Sequence, residues 1–288
     1  MKIGFHASPW VHFAPPQTLA DAVRESAACG WDGIELCNSQ AYLYPERIEE
    51  IRDLLLARGL ALATYYCAQG FLPGFDEGEA MNLARRHIEY NVLCGSRLLA
   101  IDGGHKVPGA AEDAHLRRIA EHANRVGAAA RDRGLRCVWH QHYGSVFDDY
   151  AAFERLMAWT DPELVGFCPD TAQLALSGFD VAGVFRRYLD RIEYVHFKDV
   201  EFFSPDGRRE PGLRPGGLKA GPGERAKRDY NMLEPGRGVI AFPPLLDLLR
   251  SKDYDGWITV DLDYSLTTPL ESARYTAGYL REMIEGKK

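Results

Sequence analysis

The sequence predicts a single (β/α)8 barrel. Three observations carry this reading: a length of 288 residues, eight alternations of a short apolar strand with an amphipathic helix, and no Gly-x-Gly-x-x-Gly turn after the first strand. Roughly 250 residues folded as one unit is the usual size of such a TIM barrel, and alternating strands and helices imply a parallel sheet with helical crossovers. An open doubly wound sheet would carry its phosphate-binding glycines in the first strand-to-helix turn. Gly236-Arg237-Gly238 is too short and too late for that.

Each unit has its own signals. Residues 1–7 read as strand one; Pro15, Pro16 and Thr18 open a helix with Leu19, Ala22, Val23 and Ala27 on one face, and Gly30 ends it. Residues 32–36 form strand two, followed by a helix with Ile48, Ile51, Leu54 and Leu55 at helical spacing and a stop at Gly59. Strand three (60–66) precedes the stripe Met81, Ala84, Ile88 and Val92. Strand four (97–101) precedes Leu116, Ile119, Ala123 and Val126, a helix closed by Gly134. Strand five is 136–140, with Phe153, Leu156 and Met157 in its helix. Strand six is 164–168, with a helix capped by Asp180. Strand seven (192–197), a helix with Leu245, Leu248 and Leu249, strand eight (257–262) and a last helix (270–283) complete the set.

One segment breaks the rhythm. About 200–238 is rich in Gly, Pro and charge and is far longer than an ordinary strand-to-helix loop, which predicts a lid after strand seven within an otherwise single domain spanning 1–288.

Composition excludes several function classes. A net charge of -7 with no basic stripe argues against nucleic acid as a partner, because that binding depends on Lys and Arg neutralising phosphates. No apolar run approaches the roughly 20 residues that span a bilayer, so no membrane partner is expected. The six cysteines form no Cys-x-x-Cys pair and the first residues run straight into a strand. Both features predict a cytoplasmic chain in a reducing compartment.

Active sites of α/β barrels form at the C-terminal ends of the strands. Alternation along strand five puts Val138, His140 and His142 on one side, with Trp139 and Gln141 on the other. Strand six ends at Asp170; strand seven carries His196 and Lys198 on one face, and strand eight Thr259, Asp261 and Asp263. Taken singly, a strand-end His is usually a hydrogen-bonded rim residue, an Asp a turn former, and Lys198 with Asp199 a solvated pair. Four consecutive strands with a ligand-type side chain at the same end of the barrel predict one divalent metal ion. Two imidazoles and two carboxylates suit Mn, Zn, Fe or Co.

The order of elements, with Gly30-Trp31-Asp32-Gly33-Ile34-Glu35, His196-Phe197-Lys198-Asp199, Gly236-Arg237-Gly238-Val239-Ile240-Ala241-Phe242 and Tyr254-Asp255-Gly256-Trp257, resembles the xylose isomerase-like superfamily along nearly the whole chain. That superfamily includes sugar isomerases, ketose 3-epimerases and inosose dehydratases. The resemblance implies His140, Asp170, His196 and Asp261 as metal ligands. The chain departs from the common pattern with His140 and Asp261, where Glu is usual, and with Gln173, where many relatives have His. In the epimerases the two Glu ligands also move the proton, so His140 brings the inosose dehydratase side of the superfamily into view.

The expected activity is proton transfer next to a carbonyl in a sugar or polyol, as an isomerase or epimerase. The alternative is a keto-polyol dehydratase or lyase at the same metal. Asp261 with Lys198 or His142 is the expected acid/base set, and Glu35, His6, Trp10 and Arg237 the substrate-binding set. Tyr65, Tyr66, Trp139 and Tyr143 are further aromatics for a sugar face, and no phosphate site stands out. A nuclease on the same barrel would need more ligands and a basic groove. A non-catalytic sugar-binding protein or a scaffold would not need ligands on four strands. Exposed helices on such barrels are compatible with a homo-oligomer.

Overall fold

A computed structural model of the chain describes residues 1–37, 47–103, 112–204, 208–210 and 230–286. In chain order its strands are β1 (Lys2–His6), β2 (Gly33–Cys37), β3 (Ala61–Tyr66), β4 (Leu98–Ile101), β5 (Arg136–His140), β6 (Val165–Cys168), β7 (Val195–Phe197), β8 (Asp199–Phe203), β9 (Arg209–Glu210), β10 (Tyr230–Leu233) and β11 (Trp257–Val260). The helices are α1 (Ser8–Val11), α2 (Leu19–Ala28), α3 (Ile48–Leu56), α4 (Glu77–Leu93), α5 (Asp113–Arg131), α6 (Tyr150–Trp159), α7 (Thr171–Leu176), α8 (Val181–Arg187), α9 (Phe242–Ser251) and α10 (Pro269–Ile284).

The ring closes as expected. Parallel pairing runs β3-β2-β1-β11-β7 and β4-β5-β6, and parallel bridges at Cys67–Ile101, Phe167–Ile192 and Asp170–His196 join the two arcs. Eight strands therefore surround one axis, and β4 stands opposite β11. The alternation read along strand five holds: Trp139 packs outward beneath the helices and His140 points inward.

The interior is filled from below by Leu98, Ala100, Val138, Cys168, Tyr194 and Trp257. Two glycines make room for the bulkiest of these. A Cβ on Gly33 would come within 2.6 Å of the Trp257 ring, and one on Gly4 within 2.6 Å of Thr259 Oγ1. The helices start where the sequence marks them. The Thr18 hydroxyl accepts from Asp21 N and the Asp21 carboxylate accepts from Thr18 N, a closed capping box. Gly30 and Gly134 end α2 and α5 with φ of 79° and 76°, a conformation that costs residues with a Cβ extra energy.

Three expectations are corrected. The segment 200–238 begins and ends in strands: β8 pairs antiparallel with β10, and β9 pairs with β8. What disguised it is composition, because Gly and Pro dominate between the two strands. The rest of that segment, 205–207 and 211–229, lies outside the described residues. Strand seven is shorter than expected: its ladder covers Val195–Phe197, and before it stand only an isolated bridge at Ile192 and a 3-10 turn at Leu189–Arg191. Two short helices, α1 and α7, follow β1 and β6 directly, too short to leave a periodic signal. No described helix is long and apolar enough to cross a membrane. All six cysteines are free.

Candidate metal centre

Side chains from β5, the β6 end, β7 and the β11 end converge at the top of the barrel. One ligand-type atom from each of His140, Asp170, His196 and Asp261 lies within 4.8 Å of the others, and all four residues are buried. His140 Nε2 is 3.6 Å from Asp170 Oδ2. His196 Nδ1 is 3.8 Å from that oxygen and 3.5 Å from Asp261 Oδ2. Ligand atoms about 2.0–2.2 Å from a metal sit roughly 3.3–3.6 Å apart in a tetrahedron, so the spacing is that of a coordination shell rather than of hydrogen bonds. His140 Nε2, Asp170 Oδ2 and His196 Nδ1 are buried with no hydrogen-bond partner among the described residues. Buried polar atoms left so are costly unless something else satisfies them, and a single cation would satisfy all three.

The remaining atoms of these side chains are spoken for, which aims the free ones. Asp170 caps α7: its Oδ1 accepts from Gln173 N at 2.9 Å, leaving Oδ2 for the site. His196 Nε2–H donates to Glu35 Oε2 at 3.0 Å, and the Tyr194 hydroxyl donates to the same oxygen. That carboxylate–imidazole pair fixes the tautomer that frees Nδ1. His140 Nδ1 is 3.2 Å from the Tyr66 hydroxyl. Burial holds His140 below its ordinary pKa, so it is the neutral imidazole a metal requires.

Lys198 is buried beneath the carboxylates. Its ammonium lies 3.0 Å from Asp261, 3.2 Å from Asp263 and 3.5 Å from Asp170. Burial opposes its charge, but the three carboxylates more than offset that and hold its pKa well above the lysine range. The same ammonium holds Asp261 well below the carboxylate range against the opposing effect of burial. Lys198 does not line the cavity, so it touches the site through Asp170, Asp261 and Asp263.

The cavity above these residues measures about 370 Å³. Its lining includes His6, Glu35, Tyr66, His140, His142, Tyr143, His196 and Asp261 from the expected residues. His142 has both nitrogens engaged: Nδ1–H donates to Tyr143 O at 2.6 Å, and Nε2 accepts from the Gln173 amide at 3.3 Å. His6 accepts at Nδ1 from Ser8 N (3.0 Å) and the Ser8 hydroxyl (2.7 Å), so its proton lies on Nε2, 3.6 Å from Glu35 Oε1.

Two expected substrate-binding residues lie elsewhere. Trp10 is fully buried in the core against Phe5 and donates its indole N–H to Glu25 at 2.7 Å, because α1 turns it away from the mouth. Arg237 pairs with Glu234 at 3.4 Å and stacks 4.0 Å from the centre of the Tyr275 ring, outside the lining. Its motif has a structural reason: the Asp199 carboxylate accepts N–H groups from Val200, Gly236, Gly238 and Ile240 at 2.8–3.0 Å, so Asp199 is a buried turn anchor rather than half of a solvated pair. Two groups went unread. Tyr194 lies two residues before His196, and Asp102 two after Ala100, which fills the interior, so alternation applied along strands seven and four would have found both.

Comparison with known proteins finds relatives along nearly the whole chain. The inosose dehydratase of Lacticaseibacillus casei is 29% identical over 97% of this chain and 96% of that protein, and that of Geobacillus thermodenitrificans 26% over 98% and 97%. Among solved structures, the IolI protein with a bound zinc atom superposes with a TM-score of 0.76 at 13% identity, covering 99% of each chain. The 3-keto-D-glucoside 4-epimerase of E. coli gives 0.70 at 17%, covering 98% of this chain and 99% of that one. These two share the fold. The profile of the xylose isomerase-like TIM barrels matches residues 23–283, and the chain belongs to that family.

Proposed function

We propose that the protein is a metal-dependent enzyme that removes water from an unphosphorylated keto-polyol. Isomerisation or epimerisation at the same site is the second reading. Both chemistries start by taking a proton from the carbon beside a carbonyl. The observation that ranks them is His140. Its Nδ1 is tied to Tyr66 and its Nε2 is aimed at the ligand cluster, so no carboxylate stands on strand five to exchange protons on one face while Asp261 serves the other. Epimerisation needs such an exchange; loss of a hydroxyl does not. The likeness to inosose dehydratases along the whole chain supports the same ranking. The second reading is supported by the epimerase fold neighbour.

A divalent ion held by His140, Asp170, His196 and Asp261 would polarise the carbonyl and stabilise the negative charge that develops when the neighbouring carbon loses its proton. Glu35 and Tyr194 keep His196 in the ligating tautomer. Lys198 fixes Asp261 and offsets part of the charge of three carboxylates. Glu35, Asp102, Asp261 and Asp263 line the cavity, and among the described residues no Arg or Lys does. Such a surface accepts neutral hydroxyls and repels a phosphate. Tyr230 of β10 meets Tyr143 at the cavity edge with ring centres 6.3 Å apart, which supports a cover over the mouth built on the β8–β10 ribbon. Free cysteines agree with a cytoplasmic setting.

The test is incubation of the Mn-loaded protein with keto-inositols and ketoses in D2O, followed by NMR. Loss of a hydroxyl-bearing carbon signal with formation of an enone supports dehydration. Deuterium beside the carbonyl with every hydroxyl retained moves the assignment to the epimerase reading. No exchange with any candidate would sink both.

A further inference from the structure

The ligand cluster contains no group free to take the proton from carbon. Asp170 has one oxygen capping a helix and the other in the cluster; Asp261 and Asp263 are pinned by Lys198. Glu35 receives His196 and Tyr194 on Oε2, and its Oε1, without a hydrogen-bond partner among the described residues, is fully buried 3.6 Å from His6 Nε2; both nitrogens of His142 are engaged. The cavity has one more carboxylate. Asp102, at the C-terminal end of β4, is part-exposed to it, and among the described residues no Lys or Arg pairs with it.

We propose that Asp102 is the catalytic base of the dehydration, and this rests on the keto-polyol reading above. Its position suits the task. β4 stands opposite β11 in the ring, and Asp102 and Asp261 both line the cavity. Asp102 therefore approaches a substrate held at the ligand cluster from the β4 side, while Asp261, tied to Lys198, offers no second proton acceptor. Its carboxylate is held rather than loose. Oδ1 accepts from Gln69 N at 2.9 Å. Gln69 is itself fixed, accepting from His122 Nε2 at 3.1 Å and donating to Ala80 O at 3.0 Å. After Asp102 the chain must pass close over an aromatic pair: a Cβ on Gly103 would strike the Trp139 ring and press on Phe147. A carboxylate pre-positioned by its surroundings and free of a cation is a competent proton acceptor.

The step balances on this one group. The C–H bond beside the carbonyl breaks and its proton passes to Asp102. Its electron pair becomes the new C=C bond as the neighbouring C–O bond breaks. Asp102 returns the proton to the departing hydroxyl on the same face, releasing water and restoring the carboxylate.

The experiment compares Mn-loaded wild type with Asp102→Asn, Asp102→Ala and Tyr66→Phe, reading metal content, binding of an inosose and deuterium exchange at the carbon beside its carbonyl. Asp102→Asn should keep one metal per chain and bind the inosose within about threefold, while exchange and turnover fall by about 10³-fold. Added formate should restore exchange to Asp102→Ala by tenfold or more, and Tyr66→Phe should keep exchange within about tenfold of wild type. Exchange by Asp102→Asn near the wild-type rate would overturn the assignment. So would loss of metal from Asp102→Asn and Tyr66→Phe alike, which would make Asp102 a positioning residue for His140. Absence of exchange in the wild type would instead overturn the keto-polyol reading, and the base with it.

Discussion

The two halves of the barrel mouth are built on opposite principles. On the side of β5, β6, β7 and β11, the inward side chains carry buried atoms with no hydrogen-bond partner, and these atoms point at one another. On the side of β1 to β4, His6, Tyr66, Asp102 and one oxygen of Glu35 are tied into hydrogen bonds, two of which reach across to orient His196 and His140. Of this group only Glu35 Oε1 is buried without a partner among the described residues. Unsatisfied buried groups destabilise a fold unless a ligand completes them. The first half therefore reads as the place where the cation binds, and the second as the frame that holds it and meets the substrate. A barrel that needed only stability would satisfy both halves alike.

The largest test breaks the first half. His196→Ala should leave the purified protein with almost no metal by elemental analysis and lower turnover by 10³-fold or more. Retention of one tightly bound ion per chain would contradict the ligand assignment.

A second prediction concerns the frame and acid. His87, behind β3, is depressed by burial from 6.5 to about 4, and its Nδ1–H donates to Tyr65 O at 3.3 Å. A histidine with a lowered folded pKa is neutral in both states above pH 6.5, so its full contribution to stability is present there. Between pH 6.5 and about 4 the unfolded chain takes up the proton and the folded one does not, so stability falls as pH falls. At 1.36 kcal/mol per unit this amounts to about 3 kcal/mol. Chemical denaturation of His87→Gln should show a shallower loss over that window than wild type. An unchanged slope would mean that His87 does not remain neutral in the fold.

A smaller effect separates frame from ligand. Glu35→Gln keeps the shape but weakens the acceptor behind His196, so metal affinity in a competition titration should fall about 10–100-fold without loss of stoichiometry. An unaltered affinity would reduce Glu35 to a substrate contact. The smallest effect lies outside both halves. Trp10→Phe removes a hydrogen bond to Glu25 and some packing, and should cost about 1–2 kcal/mol of stability. Metal affinity and KM should stay at wild-type values, and a change in KM would return Trp10 to the mouth.

The fold was readable because its signals are local. Helix caps such as Thr18, stops such as Gly30 and apolar alternation in strands such as 136–140 each act over a few residues, and eight repetitions leave one architecture. The polar strand ends around the cluster were readable for the same reason, and the resemblance to the family singled out His140, Asp170, His196 and Asp261 among them. What escaped depends on contacts between distant segments. Tyr194 bonds Glu35 across 159 residues, and nothing near either announces the pair. Trp10 looked like a substrate-binding aromatic until α1 turned it inward, and Arg237 like a substrate-binding residue until Asp199 claimed the turn around it. The ends of 200–238 form a ribbon because β8 and β10 meet across about thirty residues, a register that Gly- and Pro-rich composition conceals.

The most direct measurement is a Co2+ titration of metal-free protein followed by visible absorption. One ion per chain should bind and give the intense bands of a low-symmetry site with mixed nitrogen and oxygen donors. The bands should be lost in His196→Ala and present, with weaker binding, in Glu35→Gln. Absorption that matches hydrated Co2+, or identical binding by the His196 variant, would contradict the central claim that this half of the mouth is a metal centre.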